Sequence, residues 1–326
     1  MPFLGYHASQ EQFSPSELLK LVKLAEQNHF QEVMTSDHFQ PWSTRQGQAG
    51  FTWSWLGSAL EATKMNFGSI AIPGGWRYSP PILAQAVATL CEMYSGRFNW
   101  IATGSGEALN EQIMGLGWPD KTERNERLRK GVNVMRALWK GEELEDIKLW
   151  TCPPSVPKVL AAVLTPDTAR LCGEWADGII TINQEHDKLK EIITAFVQGG
   201  GEGKEIYLQL HLSYARSGRD ASDWAYHQWR SNALEPAQSE EISSVKLYDE
   251  MSEKVRPEEM HKYVRISADV EQHTNWIKEY LGLGIQGIFL HNVGRNQEEF
   301  IKTFGEKVLP EFQQEDHGAG LGKLVR

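Results

Sequence analysis

The sequence predicts an α/β chain folded as a (β/α)8 TIM barrel with insertions, and three observations carry that expectation. Short apolar runs alternate with longer amphipathic ones along nearly the whole chain. The rhythm yields eight strand-like runs with no break in composition between them. The 326 residues exceed the ~250 typical of such a barrel, and two polar stretches have room for the excess.

Phe3 to Tyr6 reads as the first strand. Ser14-Pro15 then opens a helix to about Asn28, since proline suits a first helical turn. Gln31–Ser36 and Asn66–Ile72 are the second and third strands. A helix over Pro80–Tyr94 sets Leu83, Ala84, Val87, Leu90 and Cys91 on one face. Phe98–Thr103 is the fourth strand, and the helix Arg124–Trp139 turns Leu128, Val132, Met135 and Leu138 inward. The second half repeats the pattern, with strands at Lys158–Val163, Gly178–Ile182, Ile206–Tyr214 and Ile285–Leu290. Its helices are Asp167–Trp175, Asp187–Val197, Val270–Leu281 and Gln297–Phe312. This describes one domain over 1–312, with insertions at about 141–156 and 217–262. A polar, glycine-containing tail over 313–326 is expected to be flexible.

Lys+Arg number 33 against 43 Asp+Glu, a net charge of −10, which argues against nucleic acid or an anionic membrane as the main partner. No run of 18 apolar residues and no basic, then apolar leader is present. Cys91, Cys152 and Cys172 form no CxxC pair, and an odd count excludes a complete intramolecular disulfide framework. The expectation is a soluble cytoplasmic protein.

In a barrel of this kind the chemistry lies at the C-terminal ends of the strands. After the second strand comes Ser36-Asp37-His38-Phe39-Gln40-Pro41-Trp42. After the third come Ser69-Ile70 and then Pro73-Gly74-Gly75-Trp76, and after the fourth Gly104-Ser105-Gly106-Glu107-Ala108-Leu109-Asn110-Glu111. The fifth gives Leu164-Thr165-Pro166, the sixth Thr181-Ile182-Asn183, and the eighth His291-Asn292. An imidazole (His38), a carboxylate (Glu107) and an indole (Trp42) from these loops make a pocket able to move a proton near neutral pH. A His beside an Asp also fits a purely structural pair, so the constellation carries the reading. His211 alternates inward along YLQLHLSYA as an interior histidine, and Trp229 and Tyr263 are placed on the substrate side. Gly104-Ser-Gly106 lacks the third glycine of a dinucleotide fingerprint, because Leu109 stands there. Gly199–Lys204 lacks the Ser/Thr of a phosphate loop, and no metal-ligand spacing occurs, so no metal is expected.

The runs SDHFQPW (36–42), GSGEALNE (104–111) and WADG (175–178) resemble the bacterial luciferase-like flavin oxidoreductases. The similarity is greatest to relatives of deazaflavin (F-420)-dependent glucose-6-phosphate dehydrogenase. Within that group the chain is most similar to the non-F-420 flavin oxidoreductases, a branch that uses FMN. The resemblance extends from Gly5 to about Phe312. It implies a homodimer, and a flavin lying over a bulge with a non-prolyl cis peptide at Ser69-Ile70. It places Asp37, Ser105, Gly106, Asn110 and Ala162, Val163, Leu164 and Thr165 at the cofactor. It makes His38 the base that takes the hydroxyl proton, Glu107 the acid near the ring, and Trp42 a support for the transition state.

Two departures qualify what the resemblance implies. The positions that hold a sugar phosphate in the relatives fall on Glu185, Ser239, Glu240 and Tyr263, where a dianion would meet no cation. The Gly-Gly pair expected after the fifth strand is Leu164-Thr165, with Thr165 and Thr168 left to meet one phosphate. The expectation is therefore an FMN-dependent oxidoreductase moving a hydride to or from a small, non-phosphorylated hydroxyl or carbonyl substrate. The alternatives are an F-420-dependent dehydrogenase with an altered substrate, an FMN monooxygenase served by a flavin reductase, and a non-catalytic flavin-binding protein.

Overall fold

The structure, a computed structural model, describes residues 2–313; from residue 314 the expected tail lies outside the described residues. The strands are β1 (Phe3–Ala8), β2 (Glu32–Ser36), β3 (Asn66–Ile70), β4 (Phe98–Thr103), β5 (Lys158–Ala162), β6 (Gly178–Ile182), β7 (Glu205–Tyr214), β8 (Arg265–Ser267) and β9 (Gly287–Asn292). All pairings are parallel. β1 to β7 follow one another around a barrel that β9 closes between β7 and β1, while β8 lengthens the far end of β7.

The helices are α1 (Pro15–Gln27), α2 (Thr52–Ala62), α3 (Pro80–Met93), α4 (Ala108–Glu111), α5 (Lys121–Trp139) and α6 (Pro166–Cys172). There follow α7 (His186–Phe196), α8 (Gly218–Trp229), α9 (Pro236–Ser239), α10 (Val245–Ser252), α11 (Val270–Leu281) and α12 (Gln297–Lys307). Most lie where the apolar periodicity puts them. α2 falls in a stretch assigned no element, although Trp53, Leu56, Ala59 and Leu60 recur on its buried face. The segment 217–262 contains α8, α9 and α10, whereas 141–156 holds only a two-residue bridge, Leu144 with Ile147. None of the described helices is long and apolar enough to cross a membrane.

Strand alternation sorts two cores. Leu4, Tyr6 and Ala8 of β1 join the outer core beneath the helices. Phe3 faces inward with Met34, Trp100, Leu160, Ile180, Tyr207 and Phe289. The Trp100 indole lies directly over Gly68, where a Cβ would come within 1.9–2.3 Å of the ring. The β3–β4 register shifts between Phe67 and Gly68.

Above this floor the inner surface divides. β3, β4 and β5 offer the small or apolar Ile70, Ala102 and Ala162. β1, β7 and β9 continue their period of two from Phe3, Tyr207 and Phe289 to His7, Gln209, His211 and His291. His211 and His291 are register partners. β1 and β9 run two residues past their predicted ends, to Ala8 and Asn292.

Candidate active site

The loop after β1 supplies a residue that sequence reasoning missed. Glu11, 3% exposed, holds His38 Nδ1 on its Oε1 at 2.5 Å, and its Oε2 accepts from Ser9 Oγ at 2.8 Å. Burial by itself would raise Glu11 and lower His38. Their mutual hydrogen bond and opposite charges outweigh it, so Glu11 is held below the usual carboxylate range and His38 is raised above 6.5. Because a carboxylate only accepts, Nδ1 carries the proton and Nε2 is the nitrogen left for chemistry. The Trp42 ring meets the His38 ring edge-on at 5.0 Å and rests against Tyr248 at 5.4 Å.

Asp37 is buried, its Oδ2 accepting from Trp53 Nε1 at 3.3 Å and facing Arg77 at 3.3 Å. Arg77, also missed from sequence, donates to the Asp37 carbonyl and lies 3.6 Å from Glu111 Oε1. Burial pushes the Glu111 carboxyl up to about 7, against the pull of Arg77. Glu107 occupies the N-cap position of the one-turn helix α4 without a side-chain capping bond. The chain can turn there because Gly106 adopts φ +82, a conformation L side chains rarely take. Asn110 Oδ1 accepts from the amides of Phe39 and Gln40 at 2.8 and 3.0 Å, which ties the β2 loop to α4.

Whether these residues suit a flavin-type group is answered by their unpartnered atoms. Asp37 Oδ1, Glu107 Oε2 and Asn110 Nδ2 are buried without a hydrogen-bond partner. They lie just past the ends of β2 and β4, where the barrel interior carries the small or apolar Ile70, Gly104 and Ala162, Gly104 lying against Ala162. An apolar wall edged by unmet polar atoms fits a flat ring with a polar rim.

The other expected cofactor positions divide. Ile70 and Ala162 pack with the barrel interior, whereas the Val163 side chain belongs to the outer core. Ser69 is fully buried, and its hydroxyl is 3.5 Å from the carbonyl of Ile70. The cis peptide expected at Ser69-Ile70 is corrected: no described peptide bond is cis, and the irregularity in this strand lies earlier, at Phe67/Gly68. Thr165 caps α6 through the amide of Thr168, and the two hydroxyls bond each other at 3.0 Å, while Leu164 accepts from Gln184. Ser105 Oγ accepts from Lys121 Nζ at 2.8 Å.

Lys121 is in turn held by Glu240 at 2.7 Å. The buried Arg124 pairs with Glu240 at 2.8 Å and Glu241 at 2.9 Å. Of the four positions matching a sugar-phosphate site, Glu185 is exposed, Ser239 bonds the Pro236 carbonyl and Glu240 is consumed by these cations.

His211, Trp229 and His291 come together. Ring centroids are 4.9 Å apart for His211–Trp229 and 4.6 Å for Trp229–His291, and His7 stacks on His291 at 4.1 Å. Burial pushes His7 down to about 4 and His211 to about 3, and holds His291 well below 6.5.

The chain belongs to the luciferase-like monooxygenase family, with residues 2–287 matching the family model. It is 31% identical to an F420-dependent glucose-6-phosphate dehydrogenase of Nakamurella multipartita, over 94% of this chain and 95% of that one. The enzyme of the same description from Segniliparus rotundus is 32% identical, over 94% and 97%. Among solved structures, an F420-dependent secondary alcohol dehydrogenase in complex with an F420-acetone adduct superposes with a TM-score of 0.89 at 28% identity, over 96% of this chain and 99% of that one. A long-chain alkane monooxygenase, at 12% identity and a TM-score of 0.70, over 96% and 91%, shares the fold.

Proposed function

We propose that this protein is a deazaflavin (F420)-dependent dehydrogenase acting on the hydroxyl carbon of an uncharged substrate, or on the matching carbonyl in reverse. The observation that carries the reading is the His38–Glu11 pair at the strand ends, a base with its proton-bearing nitrogen fixed and its other nitrogen free. The FMN expectation rested on the resemblance to the non-F-420 branch and on Leu164-Thr165. Weight moves to the deazaflavin because relatives described as F420-dependent match over 94–96% of this chain.

When bound, the cofactor would supply a two-electron acceptor for the substrate hydride. Ile70, Ala162, Ser105, Gly106, Asn110 and Asp37 would hold it. His38 Nε2 takes the hydroxyl proton as the C–H bond gives up its hydride, leaving a carbonyl. Glu11 stabilises the imidazolium so formed, and Trp42 fixes the plane of the ring. Glu107, whose Oε2 is buried without a partner, would stand at the ring edge.

The test is His38→Ala and Glu107→Gln, with cofactor affinity and turnover measured on each. Cofactor affinity should be kept, with turnover falling by about 10²–10⁴. Turnover unchanged in both variants would contradict the assignment and favour a flavin-binding protein without this chemistry.

A further inference from the structure

We propose that His7, Gln209 and His211, with Trp229 as an aromatic platform, form the subsite for the part of the substrate remote from the reacting carbon, and that the substrate class is an uncharged polyhydroxylated compound, a sugar or polyol without phosphate. This deepens the functional reading above and rests on it.

The first argument is the division of the barrel's inner surface. The small, apolar arc of β3 to β5 suits a flat ring, which leaves the arc of β1, β7 and β9 to face what lies against that ring. This second arc is polar on three adjacent strands, since His7, His211 and His291 reach the same level. Polar side chains in the top layer of a barrel core are costly unless they are used.

The second argument is charge. His291 Nδ1 accepts from Gln209 Nε2 at 3.0 Å, and its Nε2 donates to Gln12 Oε1 at 3.2 Å. The Gln12 amide is oriented by its donation to the Val293 carbonyl. His291 is therefore a neutral imidazole by hydrogen-bond arithmetic, and it aims Gln209. The low protonation tendency of His7 and His211 agrees. Cations near the mouth are already committed: Arg77 to Asp37 and Glu111, Lys121 and Arg124 to Glu240. Glu11 is committed to His38. An anionic substrate finds none of these three cations free.

The third argument is the kind of group that matches. His7 Nδ1 is buried without a partner. Imidazole and amide groups each want a partner that both donates and accepts, which is what a hydroxyl does. A purely alkyl substrate would leave them unmet, a strong basis for rejection. The Trp229 indole offers a flat apolar face to the C–H side of a sugar ring.

The experiment uses the full chain. Titration with F420 and FMN comes first; failure to bind either sinks the functional reading itself. The cofactor-loaded protein is then probed by saturation-transfer NMR with glucose, xylitol, glucuronate, glucosamine, glucose 6-phosphate and cyclohexanol. Glucose or xylitol should bind, with each charged congener and cyclohexanol weaker by about tenfold or more, a difference of one decade in Kd. His211→Asn and His7→Leu should each remove the preference while cofactor affinity holds. A charged congener or cyclohexanol binding as well as glucose overturns the proposal. So does the absence of any bound polyol on cofactor-loaded protein, or unchanged selectivity in both variants.

Discussion

At the scale of single residues, the site turns on a carboxylate that decides how basic one imidazole is. Glu11 raises His38 above 6.5 against the burial that would lower it. His38 must be neutral to accept a proton, so alcohol oxidation should rise with pH through that raised value. In Glu11→Gln the ion pair is gone and burial prevails, so the pH limb of kcat/KM should move to lower pH while the maximal rate falls. A limb that stays in place would show that Glu11 does not act on His38. The candidate trio His38, Trp42 and Glu107 stands out in the sequence because its members follow strand ends within recognisable runs. Glu11 was open to the same logic, lying three residues beyond β1. The apolar run hides it by stopping at Tyr6, before the imidazole of His7, two residues short of the strand's end.

That failure belongs to the scale of elements as well. The apolar runs of β1 and β9 both stop at a histidine, His7 and His291, because the inward-facing layer turns polar there while the strands continue to Ala8 and Asn292. Strand ends are thus least legible where they matter most. The floor, by contrast, follows packing rules alone. Placing a methyl at Gly68 drives it into the Trp100 indole, so Gly68→Ala should destabilise the fold by about 1–3 kcal/mol or more in urea unfolding. Stability unchanged by that substitution would mean that the β3–β4 contact is looser than described.

The same floor holds Glu32, whose Oε1 accepts from Trp100 Nε1 at 2.7 Å. Burial pushes its carboxyl from 4.5 up to about 7. The folded state therefore keeps a proton that the unfolded chain releases, and stability is lost as pH rises from 4.5 toward 7. Glu32→Gln, uncharged at any pH, should be more stable than the parent at pH 8 by on the order of 3 kcal/mol and indistinguishable at pH 4. Equal stability at both pH values would contradict a buried, proton-holding carboxyl.

For the whole molecule, the (β/α)8 architecture was legible from rhythm and length, and the family from three short runs. Cofactor choice was not, since the positions proposed to hold it, Ile70, Ser105, Gly106 and Ala162, carry small or apolar side chains that do not separate a flavin from a deazaflavin. The most direct measurement is a paired equilibrium titration of the protein with oxidised F420 and with FMN, followed by cofactor fluorescence. Tighter binding of F420, by about tenfold or more, is the result this account predicts; FMN binding the more tightly would contradict it and restore an FMN-dependent oxidoreductase.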